Sequence, residues 1–252
     1  MIAEASVRAA DQESIFDRWE ARLKLPGMLA LIFSYAFVRE LWLLVPLLIT
    51  AATIYLLSRL PLKYLISRLR LPGFFLLVMA IILPFWSGET VLWNLGPFAL
   101  RLEGVLGLLL IAGKFIGIMI VVVTLFGTTP LSQLTMALKS IGIPWLLTDL
   151  LIFTHRYIFQ LAGDLQRMRT AARLRGFSGK SINSIKPLAY ITGSMLVRSH
   201  EQSERVYQAM TLRGYGNSSL PHPVFKPTTS DYILLVSVVT PAVFFIVAQF
   251  IL

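Results

Sequence analysis

Apolar runs at about 28–38, 41–58, 73–87, 104–126 and 232–252 decide what this chain can fold into. A helix crosses the hydrocarbon core of a bilayer with ~20 apolar residues, and ~17 is the lower limit. In lipid its backbone groups must be satisfied within the segment itself, which leaves helices as the economical solution. The first run falls short of that length. It either makes a tight hairpin with its neighbour across Arg39-Glu40 or belongs to a helix extending back through Pro26. Five spans are therefore expected. The chain is 56% hydrophobic and 14% charged, where soluble domains carry about 25% charged residues. A mean hydropathy of +0.72 agrees.

The net charge is +10, but this is not the footprint of a nucleic-acid binder, because the basic residues are confined to segments between apolar runs. Arg59, Lys63, Arg68 and Arg70 lie between the second and third runs. Lys139, Arg156, Arg167, Arg169, Arg173, Arg175, Lys180, Lys186, Arg198, Arg205, Arg213 and Lys226 lie in 127–230. The alternate loops hold only Arg39 and Arg101. Positive-inside bias then places the N-terminus and 127–230 in the cytoplasm and the C-terminus outside, with Trp42, Trp86 and Trp93 near the outer interface. Residues 1–24 carry Glu4, Asp11, Glu13, Asp17 and Glu20 without an apolar core, so no cleavable signal peptide is expected. Cysteine is absent, which excludes disulfides and thiolate metal sites.

The expected fold is an all-α integral membrane protein of about five transmembrane helices with long crossed cytoplasmic coupling helices. Segment 1–126 supplies the N-terminal segment and the first four spans, 127–230 the coupling helices, and 231–252 the last span. In the fourth span, Gly113-Lys114-Phe115-Ile116-Gly117 is a small-xxx-small pattern that lets helix backbones approach closely. Packing within this subunit is the simplest use of it. Lys114, the one basic residue deep in a span, has no intramembrane carboxylate as a relay partner, so a structural or interface role is expected for it.

Segment 127–230 is too polar to span. Thr129 reads as an N-cap with Pro130 at the first helical position, opening a short helix that stops near Gly142 and Pro144. A helix from about 145 to 175 follows, with a seam of Leu147, Leu151, Thr154, Ile158, Leu161, Leu165, Met168 and Ala172, the next step reaching Arg175. Steps alternating between four and three make a coiled-coil-like stripe. After a Gly/Ser-rich turn from Gly176 to Asn183, Pro187 opens another helix ending at Arg213, with a distal seam of Ser199, Gln202, Val206, Ala209 and Arg213. Both helices end alike. Arg167-x-x-x-Ala171-x-x-Leu174-Arg175-Gly176-Phe177 recurs as Arg205-x-x-x-Ala209-x-x-Leu212-Arg213-Gly214-Tyr215. Arginine then glycine is an ordinary helix C-terminus, since the cation complements the dipole and glycine accepts positive φ. Capping does not require the alanine, the earlier arginine, the leucine and the aromatic. Repeated together, they indicate docking: the alanine clears space and the arginine offers a planar, bidentate donor.

At these residues the chain resembles the transmembrane T component of energy-coupling-factor transporters, ABC-type importers of vitamins and transition-metal ions. Thr128-Thr129-Pro130, Ile143-Pro144 and Arg156-Tyr157 agree with that family. Arg198-Ser199-His200-Glu201, Glu204-Arg205-Val206-Tyr207-Gln208-Ala209-Met210, Asp17-Arg18-Trp19 and Arg22-Leu23-Lys24 resemble its cobalt-type branch, CbiQ, to which the nickel branch is close. The chain departs from the family at Leu174 and Leu212, where alanine is frequent. The resemblance implies that Ala171, Arg175 and Gly176, and Ala209, Arg213 and Gly214, each dock on one of two ABC-type ATPase subunits, supported by Arg167, Leu174, Phe177, Arg205, Leu212 and Tyr215. It also implies a CbiM-like substrate-binding membrane component, a small CbiN-like accessory subunit and a bacterial cytoplasmic membrane. ATP and Mg would sit on the ATPases; this chain is expected to bind no cofactor, no metal and no nucleic acid, and to catalyse nothing.

The residues themselves point the same way. No Walker-type Gly-x-x-x-x-Gly-Lys-Ser/Thr run occurs. His155, His200 and His222 lack metal-ligand spacing; a hydrogen-bonded role suits His155 and His200 better, and His222 lies between two prolines. A lipid-modifying enzyme would need converging polar groups, whereas Asp149 and Asp164 stand too far apart on one helix to act on one bond. A secondary carrier would show repeated or broken spans. The orientation is directly testable in this cysteine-free chain. Ser181→Cys should react with an impermeant maleimide only in inside-out vesicles, and Asn94→Cys only in intact cells. Labelling of both from one side contradicts the topology.

Overall fold

A computed structural model describes residues 14–86, 91–95, 98–177, 185–215 and 227–251. The described residues form nine α-helices: α1 Ile15–Arg18, α2 Ala21–Phe37, α3 Leu44–Ser58, α4 Leu62–Trp86, α5 Leu102–Gly127, α6 Leu131–Ser140, α7 Trp145–Leu174, α8 Ile185–Leu212 and α9 Thr229–Ile251. The all-α architecture is thus as expected. A two-stranded antiparallel hairpin between α4 and α5 adds to it, β1 Val91–Leu95 and β2 Phe98–Arg101, with Leu95 opposite Phe98 and Asn94 opposite Ala99. The chain divides into two compact units, 1–143 with 227–252, and 144–226.

Among the described residues four helices are long and apolar enough to cross a membrane: Leu41–Ser58 (which includes the 3-10 turn Leu41–Leu43), Leu62–Leu83, Leu102–Gly127 and Thr229–Gln249. The short first run becomes α2, a helix of 17 residues that extends back through Pro26. It runs beside α9 from end to end. At its start the Glu20 N–H donates to Asp231 Oδ1 (3.2 Å), midway Ser34 Oγ donates to the Ala242 carbonyl (2.8 Å), and past its end the Arg39 N–H donates to Gln249 Oε1 (2.8 Å). A helix pinned at both ends to a span-length helix covers that same height. Four helices therefore qualify by length, and α2 joins them by its pairing.

The core of this unit forms where α2 meets α3, α5, α6 and α9. It includes Met28, Leu31, Tyr35, Leu47, Val121, Leu134, Ala137 and Phe245, with Tyr35 edge-on to Phe245 at 5.5 Å. Gly113 and Gly117 of α5 face α3, and the notch they leave is filled from within the chain. A methyl group at Gly113 would overlap Leu44, and one at Gly117 would overlap Leu47. The small-xxx-small pattern is used for intramolecular packing, as expected. Lys114, between these glycines, donates from Nζ to the carbonyl of Val38 (2.6 Å), the residue capping α2. A cation at a helix C-terminus satisfies an otherwise orphaned carbonyl and complements the dipole, so Lys114 is structural.

The opposite end of α2 is tied by a buried lysine. Lys24, 1% exposed, donates from Nζ to Phe16 O (2.8 Å), Thr128 O (3.2 Å) and Thr128 Oγ1 (2.6 Å). All three ammonium protons find acceptors, which is what a charge needs to be tolerated out of water. The N-terminal stretch is held there too. Ser14 and Asp17 form a capping box around α1, and Phe16 and Trp19 are buried.

Three details depart from the sequence reading. Pro130, not Thr129, is the N-cap of α6: with ψ at 149° it is still extended, the helix starts at Leu131, and the buried Thr129 hydroxyl has no partner among the described residues. The third apolar run is the latter part of a longer helix. α4 begins at Leu62, so Lys63, Arg68 and Arg70 lie on its first turns, as long cationic side chains do near span ends. Helix α8 starts at Ile185, two residues before Pro187; proline is tolerated in a first turn, where its missing N–H has no intrahelical partner. The turn 178–184, His222 and the side chains of Trp86 and Trp93 lie outside the described residues.

The glycine notch is the packing feature most open to test. Gly113→Ala should destabilise the detergent-solubilised protein by about 1–3 kcal/mol, the usual cost of overpacking. Gly193→Ala on α8, where a methyl meets nothing within 4 Å, should be neutral or stabilise by up to about 1 kcal/mol. Thermal unfolding of the two variants compares them directly; equal effects contradict the packing role.

Candidate functional site

The second unit consists of α7, 30 residues long, and α8, 28 residues long. They are antiparallel partners. Asp164 of α7 lies 4.0 Å from Arg198 of α8, Met168 Sδ accepts from Ser194 Oγ at 3.7 Å, and Asp149 accepts from Tyr215 just beyond α8 at 2.9 Å. The half-buried stripe on α7 runs through Asp149, Phe153, Tyr157, Leu161, Leu165, Met168 and Ala172, and on α8 through Pro187, Ile191, Met195, Ser199, Gln202, Val206 and Met210. Only the distal half of the expected α7 seam lies on this stripe; in the proximal half Asp149, Phe153 and Tyr157 take its place. The seam's first members, Leu147, Leu151, Thr154 and Ile158, are exposed.

Both helices end in one backbone device. After Leu174, Arg175 is the C-cap and Gly176 takes φ +89°. The Gly176 N–H then donates to Arg173 O (3.0 Å) and the Phe177 N–H to Ala172 O (3.1 Å). After Leu212, Gly214 takes φ +80°, its N–H donates to Thr211 O (2.9 Å), and the Tyr215 N–H donates to Met210 O (3.0 Å). This paired closure is the Schellman motif. It uses glycine because a Cβ disfavours the left-handed region; space is no constraint, since a methyl at either glycine meets nothing within 4 Å. α6 ends the same way at Gly142, φ +100°, with Ile143 N–H donating to Leu138 O (3.3 Å). That third copy carries Ser140-Ile141 before its glycine. The closure alone thus calls for glycine, and for neither arginine nor leucine.

What the two arginine-bearing ends present is also the same. Ala172 and Met210, whose carbonyls close the caps, are half-buried and finish the helix seams. Ala171, Leu174 and Arg175 are exposed, as are Ala209, Leu212 and Arg213. Residues at i, i+3 and i+4 share one helical face, so each end offers a small residue, a leucine and a guanidinium side by side. The two leucines are 85% and 89% exposed. Continuing the seam to Arg175, and through Ala209 to Arg213, is corrected here: the seams stop at Ala172 and Met210, which leaves the candidate residues free. Arg167 lies 3.7 Å from Asp164, and Arg205 lies 3.8 Å from Glu201, each one turn along its own helix.

Because the helices are antiparallel, the two ends lie at opposite ends of the pair. Arg175 closes α7, whereas Tyr215 touches its start. With a rise of 1.5 Å per residue, the span from Asp149 to Arg175 sets the ends ~39 Å apart. Tyr215 packs edge-on to Trp145 at 5.8 Å and donates its hydroxyl to Asp149 Oδ2. Burial, and then the Asp149 carboxylate, raise the Tyr215 pKa above the ordinary phenol value, so the hydroxyl stays a donor. The sequence reading missed this contact; the hydroxyl on one of two otherwise matching aromatics was the available signal.

The two histidines on the pair have local contacts. His155 lies edge-on to Phe159 at 5.1 Å and His200 Nε2 is 3.9 Å from Glu204. Among the described residues no three His, Cys, Asp or Glu groups are placed to hold a metal ion. Asp149 and Asp164 are occupied by Tyr215 and by Arg167 and Arg198, respectively.

Comparison with known proteins matches residues 12–223 to the profile of the CbiQ family, described as cobalt transport protein. The matched range takes in both arginine-glycine ends. The chain is 27% identical to the energy-coupling factor transporter transmembrane protein EcfT of Lactococcus lactis subsp. cremoris over 245 residues, 90% of this chain and 91% of that protein. It is 27% identical to EcfT of Listeria innocua over 237 residues, covering 87% and 88% of the two chains. An uncharacterised protein of Methanocaldococcus jannaschii is 26% identical over 220 residues, covering 84% and 79%.

Proposed function

The chain belongs to the CbiQ family within the transmembrane T components of energy-coupling-factor transporters, and from that premise we propose that it is the non-catalytic coupling subunit of an ATP-driven cobalt importer. The observation that carries this reading is the pair of identical exposed faces, Ala171-Leu174-Arg175 and Ala209-Leu212-Arg213, at the two ends of one antiparallel helix pair. Each face takes one cytoplasmic ABC-type ATPase. The guanidinium meets a carboxylate or carbonyl edge in a groove of that subunit. Burying each leucine adds about 1.5–3 kcal/mol.

ATP binding draws the ATPases together and hydrolysis lets them part. Both tips belong to one helix pair, so the relative motion of the ATPases becomes a displacement of α7 and α8. That displacement acts on a membrane-embedded substrate-binding component, which takes the ion outside and releases it inside. The cargo is a substrate of that component; ATP and Mg belong to the ATPases. Cobalt, rather than nickel or a vitamin, rests on the description of the matched family. A location in the cytoplasmic membrane with α7 and α8 inside follows from the Lys/Arg distribution.

Arg175→Glu combined with Arg213→Glu should reduce ATPase co-purification by at least about tenfold, because losing one partner of a desolvated ion pair costs 2–5 kcal/mol. Both side chains are exposed, so the variant should stay folded in the membrane. The same variant should abolish cobalt uptake by the assembled transporter, and uptake by the parent should be competed by cobalt better than by nickel. ATPase recovered in full with the double variant contradicts the docking assignment.

A further inference from the structure

The two tips match in backbone and in exposed face, yet they differ in how they are held. At the Arg175 end the chain itself connects α7 to α8, since only residues 175–184 separate the helices. At the Arg213 end no short connection exists. α7 follows Pro144, and the next helix in sequence after Tyr215 is α9. The half-buried stripes reach Phe153 on α7 and Met210 on α8, so what remains to be held at that end is the turn that leaves α8 after Met210. Tyr215 and Asp149, 66 residues apart in sequence, meet at that open end with a 2.9 Å hydrogen bond. The Tyr215 ring also packs against Trp145. The repeat differs at the corresponding place, where Phe177 has no hydroxyl to donate.

We propose that Tyr215, Asp149 and Trp145 form a latch that closes the open end of the helix pair and positions the Arg213 tip for its ATPase. At the Arg175 tip the matching aromatic, Phe177, has no hydroxyl to donate, and the chain runs on directly into α8. This rests on the docking reading above. Tyr215 immediately follows Gly214, so fixing its ring and hydroxyl fixes the direction in which the left-handed turn leaves α8, and with it the last turn carrying Leu212 and Arg213. Without the latch that turn samples orientations in which Arg213 does not face its groove. Apparent affinity falls in proportion to the competent fraction. A hydrogen bond to a charged acceptor holds that fraction up by roughly tenfold. Tyr215, Asp149 and Trp145 are thus positioning residues, and the two ATPase contacts depend on different parts of the chain.

The test uses the full-length chain, which contains no cysteine, with a nitroxide at Leu212→Cys or at Leu174→Cys. Tyr215→Phe keeps the ring and loses the donor; Asp149→Ala loses the acceptor; Asp149→Asn keeps an acceptor oxygen. Tyr215→Phe and Asp149→Ala should loosen the label at 212, Asp149→Asn should largely restore it, and the label at 174 should not respond. General loss of fold would loosen both labels. Unlabelled chains then report docking. In an Arg175→Glu background, where only the second tip can bind, Tyr215→Phe should lower ATPase capture about tenfold. In an Arg213→Glu background it should change nothing. An unaltered label at 212, equal loosening at both labels, or unchanged capture by the second tip overturns the latch. If the chain without substitutions captures no ATPase, the docking reading falls, and the nitroxide spectra alone decide the latch.

Discussion

A helix can stop abruptly only if its last carbonyls find donors, and at Leu174 and Leu212 the donors come from the next glycine and the aromatic beyond it. That arrangement requires left-handed backbone at Gly176 and Gly214, a conformation that costs residues with a Cβ about 1–2 kcal/mol. Its geometry also sorts the side chains around it. The residues whose carbonyls accept from the aromatics, Ala172 and Met210, are half-buried, and their neighbours Ala171 and Ala209 are exposed. The cap therefore fixes which face of each helix end remains open. Gly142 shows the same closure without arginine or leucine in front of it, which separates what ending a helix needs from what the two tips add.

The antiparallel pairing converts a repeated sequence into a separated pair of surfaces. Had α7 and α8 run parallel, both tips would lie together at one end. As they stand, the tips lie ~39 Å apart along the helices, on a pair that the chain joins at one end and Tyr215 ties to Asp149 at the other. In the membrane unit, separate contacts keep α2 in place. Lys24 and Asp231 hold its start, Lys114 and Gln249 hold its end, and the glycine notch of α5 receives Leu44 and Leu47 of the neighbouring α3.

Much of this was legible in the sequence because it depends on local pattern. Apolar run length marked three of the spans and the latter part of α4, and the residues bounding the repeat marked both caps, since glycine after a cationic helix end has few other uses. The use of Gly113 and Gly117 followed from their spacing. What was not legible depends on tertiary placement. Nothing near Thr129 says that Pro130 stays extended and takes the cap position. The start of α4 was hidden by Lys63, Arg68 and Arg70, which read as a loop until the side chains are allowed to reach back toward the span end. The hairpin of β1 and β2 had a signal in the Gly96-Pro97 pair between apolar stretches, but apolar residues beside a span read equally as membrane. The limits of the seams at Ala172 and Met210 were hidden because periodicity cannot tell where one helix stops touching another. Tyr215 reaches Asp149 only because the register of two long helices brings them together.

One chain holding two ATPases, one at each tip, is tested most directly by the mass of the intact purified complex. Native mass spectrometry of the parent should show two ATPase subunits per copy of this chain. Arg175→Glu alone and Arg213→Glu alone should each show one. A parent complex carrying a single ATPase, or a single-tip variant still carrying two, would contradict the assignment of one tip to each subunit.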